Sequence, residues 1–75
     1  MIDASQIREH MEVKGSDGQH VGTVDHMENG RIKLTKSDPA SGGQHHYIDL
    51  NMVDAIKGGA VCLSKSADEA KRAWH

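Results

Sequence analysis

Six histidines in 75 residues, His10, His20, His26, His45, His46 and His75, are the side chains in this chain best suited to chemistry. Imidazole is the commonest side-chain ligand of transition metals and the one group that titrates unaided near neutral pH. Spacing limits the first use. Adjacent His45 and His46 in an extended segment point to opposite faces. His20 and His26 can share a face, but six residues of strand span about 20 Å, too far for one coordination sphere. The sequence holds no H-x-x-x-H for a helix, no H-x-H for a strand and a single cysteine, Cys62. A metal or small-ligand site built from His20, His26, His45 or His46 would therefore have to be assembled across strands or subunits, and no metal or cofactor is expected. Protonating all six imidazoles would carry the formal charge from −2 to +4, so solubility should dip near the sequence pI of about 6.3.

Other chemistries are less well supplied. Nucleophilic catalysis needs a positioned nucleophile, a base and a group that orients the base. Asp25 beside His26, and Asp49 two residues after Tyr47, have no spacing specific to such an arrangement. Cys62 lies between the inward-facing Val61 and Leu63, so it should face outward or sit beneath a C-terminal helix. Gly15-Ser16-Asp17-Gly18 lacks the lysine of a phosphate loop and precedes a strand rather than a helix; it reads as a turn. No catalytic residue is assigned, and the chain is expected not to be an enzyme.

The elements that would position these residues are short. Asp3-Ala4-Ser5-Gln6-Ile7 reads as a capped helical turn. Met11–Lys14 and His20–Met27 alternate as strands. Val21 and Val24 would face opposite sides of a regular strand, and a bulge at Gly22 would turn both inward. Asn29-Gly30 signals a tight hairpin turn into Arg31–Lys36, where Ile32 and Leu34 share a face. Residues 37–43 hold the only proline and two adjacent glycines, and they read as the most mobile loop. His45–Leu50 is extended again, Met52–Ile56 reads as a helical turn or irregular connection, and Ala60–Ser64 is a last strand. Ser66 and Glu69 form the S-x-x-E pattern of a helix start, with Ala67, Ala70 and Trp74 along one side. The architecture expected is a single domain over residues 1–75, mainly β, as a small antiparallel β-barrel with a short N-terminal helical turn and a C-terminal helix.

Composition sets the remaining expectations. With 9 Lys+Arg against 11 Asp+Glu, and Tyr47 and Trp74 as the only large aromatics, nothing favours a phosphate backbone or a base-stacking platform, so no nucleic-acid partner is expected. There is no apolar run of about 20 residues, so no membrane span is expected. One unpaired cysteine and an N-terminus without a basic-then-apolar leader point to the cytoplasm. A chain this small buries only about 60–65% of its unfolded surface. Association would relieve that shortage, and Tyr47, Trp74, Met52 and Met27 are the residues expected to form an apolar interface, in a homodimer or with a protein partner.

The order of motifs resembles a known superfamily. The run Val13-Lys14-Gly15-Ser16-Asp17-Gly18-Gln19-His20-Val21-Gly22-Thr23-Val24, then Ile32-Lys33-Leu34, Tyr47-Ile48-Asp49-Leu50 and Val61-Cys62-Leu63, is similar to the PRC-barrels. Those small barrels occur in the cytoplasmic part of the photosynthetic reaction centre H subunit and in the C-terminal domain of the ribosome maturation factor RimM. Within that superfamily the chain looks closest to a small stand-alone bacterial family of unknown function, through Asp3–Ile7, Gly22–Asp25, Ile32–Thr35 and His45–Ile48. The resemblance implies a non-catalytic adaptor and supplies no catalytic residues. The chain is expected to differ from both of those proteins in lacking their neighbouring domain or membrane helix.

Overall fold

A computed structural model describes residues 4–74, the side chains of Ala4 and Ala40 excepted. Asp3, the expected cap of the first turn, and His75 lie outside the described residues. The chain opens on a 3-10 turn, Ala4–Gln6, and delivers Ile7 to the core. Six strands follow: β1 Glu12–Lys14, β2 His20–Glu28, β3 Arg31–Leu34, β4 Tyr47–Asp49, β5 Val53–Lys57 and β6 Ala60–Leu63, and then helix α1, Ala67–Ala73.

The strands form one sheet in the order β4-β3-β2-β1-β6-β5. Four neighbouring pairs are antiparallel, while β1 and β6 run parallel. The sheet is therefore mixed, where strand patterning alone suggested an antiparallel one. The reason lies at Leu50–Met52, a 3-10 turn that carries the chain onward instead of reversing it. β4 and β5 consequently run in the same direction, and the β5–β6 hairpin returns β6 parallel to β1. Met52–Ile56, expected to be a helical turn or irregular connection, is instead strand from Val53 onward, and the 3-10 turn lies ahead of it at Leu50–Met52. A flat six-stranded sheet would be about 24 Å wide, whereas the link from Asp49 to Val53 reaches at most about 14 Å. The sheet must curl strongly to bring its two ends within that reach.

Two bulges in β2 help it curl. Val13 faces Gly22 and Lys14 faces His20, leaving Val21 unopposed; Val24 faces Leu34 and His26 faces Lys33, leaving Asp25 unopposed. Val21 and Val24 are both fully buried, the outcome the expected bulge at Gly22 was invoked to achieve. Gly22 leaves room for the core: a Cβ there would stand 2.9 Å from Leu34 Cδ1. At the Asn29-Gly30 turn both residues have positive φ, 52° and 77°, as a two-residue hairpin requires. The core gathers Val13, Val21, Val24, Ile32, Leu34, Ile48, Val61 and Leu63 from the strands, Ile7 from just after the first 3-10 turn, and Ala67 and Ala70 from α1. Ser66 caps α1 in a full capping box with Glu69.

Candidate functional site

His20 stands at the start of β2, where the hairpin register sets it opposite Lys14 of β1. Its Nδ1 lies 2.9 Å from Glu12 Oε2 and its Nε2 lies 2.7 Å from Asp38 Oδ2. Thr23 donates its hydroxyl to the same Asp38 oxygen at 2.7 Å. The two carboxylates differ in their surroundings. Glu12 is 44% exposed and also pairs with Lys14 Nζ at 3.7 Å, whereas the Asp38 side chain is only 6% exposed. Partial burial works against a charged His20, but the hydrogen bonds it donates to Glu12 and Asp38 and the charges of both outweigh it and raise the imidazole pKa above its ordinary 6.5. Reciprocally, the hydrogen bond from His20 holds the Glu12 carboxyl below its ordinary 4.5, against a smaller desolvation effect.

This arrangement braces the fold and does not open a coordination sphere. The carboxylates sit at opposite ends of the ring, so they cannot converge with it on one ion. The other histidines are engaged elsewhere. His45 Nδ1–H donates to the Leu34 carbonyl at 2.9 Å, and His46 Nε2–H donates to the Ser41 carbonyl at 2.8 Å. The His46 ring also stacks on Trp74, with centroids 3.9 Å apart and planes 8° from parallel. His26 lies exposed between Asp25, 3.6 Å away, and Glu28, 3.9 Å away. His10 occupies a left-handed backbone position, φ 70°. Among the described residues no group of three His, Cys, Asp or Glu side chains is placed to hold a metal ion.

His20, His45 and His46 all act on residues 35–46, which include the 37–43 segment whose composition suggests mobility. The loop is pinned at its neck, where Leu34 N donates to His46 O at 2.7 Å. It is also braced inside by Ser41, whose hydroxyl donates to the carbonyls of Lys36 and Asp38 at 2.9 and 2.7 Å. Ser41 is nearly fully buried. Sequence reading singled out His20 but missed Glu12, Thr23, Asp38 and Ser41. The partners of His20 lie 8 and 18 residues away, and only the bulged register brings Glu12 to its ring; no local motif marks them.

The four apolar interface candidates are half-buried and do not share one face. Met27 and Ile48 both pair with Ile32, whereas Tyr47 pairs with Lys33 on the opposite face of β3. Met27, Met52 and Trp74 pack against the core. Interaction with the Glu28 carboxylate raises the Tyr47 phenol pKa, beside an open cavity of about 390 Å³ that Arg31 also lines. Cys62 faces outward and is half-exposed, in a second open cavity of about 360 Å³ with Lys14, Asp54, Lys57 and Ser64.

The curled mixed sheet with one docked helix defines a small mainly β domain whose most connected polar cluster serves a loop. Residues 7–71 match the family described as an uncharacterized protein conserved in bacteria, DUF2171, and the chain belongs to that family. This agrees with the resemblance to a small bacterial family of unknown function. A comparison with curated proteins finds no match. No helix among the described residues is long and apolar enough to cross a membrane.

Proposed function

We propose that this chain is a non-catalytic interaction module, a PRC-barrel-like domain that works in the cytoplasm as a homodimer and contacts a protein partner. The observation that carries the reading is the outer edge of β5. β5 stands at one end of the sheet and carries the half-buried Val53, Ala55 and Ile56, with Met52 immediately before it. An apolar edge strand offers unpaired backbone groups to another chain. The onward link between β4 and β5, which forces the sheet to curl, supports kinship with small closed barrels. The use of His20, His45 and His46 as internal braces favours an interaction role over ligand binding, and neither nucleic acid nor membrane is a partner in this reading.

Ala55 pairs with Cys62 and so lies on the outer face, where a longer side chain need not enter the core. Sedimentation equilibrium of the wild type and Ala55→Lys tests the proposal. The wild type should self-associate with increasing concentration, and the added edge charge should weaken association at least tenfold while leaving the circular dichroism spectrum unchanged. A wild type that stays monomeric to millimolar concentration contradicts the dimer, and equal association by the variant contradicts the β5 edge as its site.

A further inference from the structure

We propose that His20 is a pH-gated tether, which joins β1 to the loop of residues 35–46 while it is an imidazolium and slackens that loop when it loses its proton. The geometry demands two donors: one ring nitrogen faces Glu12 Oε2 at 2.9 Å and the other faces Asp38 Oδ2 at 2.7 Å. A carboxylate offers only lone pairs, and a neutral imidazole carries a single N–H. Deprotonation therefore sets nitrogen lone pair against carboxylate at one end of the ring.

The charged and titratable groups around His20 decide which end yields. From β1 come Glu12 and, behind it, Lys14; from the loop comes Asp38; on β2 itself the Thr23 hydroxyl is held by Asp38. Glu12 is half-exposed and can turn to water or to Lys14. Asp38 is buried and lies closer to the ring, at 2.7 Å against 2.9 Å for Glu12, so the remaining N–H stays with it, without charge assistance. The weakened bond is one of those that anchor the loop. Its effect continues along a chain of contacts: the Asp38 carbonyl accepts from Ser41 N at 2.9 Å and from Ser41 Oγ, the Ser41 carbonyl accepts from His46, and His46 stacks on Trp74 at the end of α1. The raised pKa of His20 places the transition above pH 6.5.

Long-range proton–nitrogen NMR of the imidazoles, with amide hydrogen exchange from pH 5.5 to 8.5 on the full chain, tests this. At pH 6 both His20 nitrogens should carry protons, and the ring should titrate above 6.5. Protection of the Ser41 and Gly43 amides, corrected for the intrinsic pH dependence of exchange, should fall about fivefold through the same midpoint, the difference between a charged and a neutral hydrogen bond. The surface variant Glu12→Gln should lower the midpoint and keep the fall, and Asp38→Asn, if it folds, should abolish the fall. A single N–H on His20 at pH 6, a midpoint at or below 6.5, or loop protection that stays flat while His20 titrates would each overturn the proposal.

Discussion

His20 lies between a half-exposed carboxylate and a buried one, and its coupling to both makes stability depend on pH at the level of single residues. The folded-state pKa of His20 is raised, so its contribution is fully present below about 6.5, its ordinary value, and is lost as pH rises through the folded value. The pKa of Glu12 is lowered, so its contribution is present above about 4.5 and is lost as pH falls through its folded value. Thermal melts across pH should therefore show the greatest contribution of this pair between about pH 4.5 and 6.5, and Glu12→Gln should flatten both flanks. A melting temperature that climbs steadily from pH 6 to 8 would contradict the assignment. Gly22 supports a different expectation. Its missing side chain admits Leu34, and Leu34 is fully buried, so Gly22→Ala should cost about 1–3 kcal/mol by overpacking, read in urea denaturation. Gly22 was legible because two valines three residues apart needed a bulge. The partners of His20 were not, since neither sequence distance nor residue type distinguishes Asp38 from any acid before a proline.

At the scale of elements, turns and caps were more legible than strand direction. Ser66 and Glu69 announce the start of α1 and form the capping box observed, because capping chemistry is local. Asn29-Gly30 likewise specifies its hairpin without help from distant residues. The second strand half, Val53–Lys57, was obscured by the 3-10 turn at Leu50–Met52 and by a register shift between Val53 and Ala55, which together break the alternation that marks a strand. The parallel β1–β6 pair depends on where that turn sends the chain, a matter of tertiary packing. Local capping also has a long-range component here: Asp17 Oδ1 accepts from Ala67 N, 50 residues away, at 3.3 Å. Ser66→Ala should cost about 1 kcal/mol in chemical denaturation. Gly15→Ala should be worse than Ser66→Ala, since its Cβ would collide with the backbone of Ser66 and Ala67 and force α1 off the sheet. Equal stability of the two variants would show that the close approach of this turn to α1 is not needed.

The molecule is a small mainly β domain of a bacterial family, with eleven of the described residues in its buried apolar cluster and a curled sheet whose β5 edge carries half-buried apolar groups. So small a core leaves stability marginal, and pairing with a second copy would supply what the fold alone does not. The residues expected to form the interface, Tyr47, Trp74, Met52 and Met27, occupy more than one face, so a strand edge is the more direct route to the proposed association. Native mass spectrometry of untagged protein purified without chelators, from bacterial cells that express it, addresses the central claim in one spectrum. A species at twice the 8.2 kDa chain mass with no added mass is the predicted result. A monomer carrying a stoichiometric metal or small molecule would contradict the account and make the chain a ligand-binding protein instead.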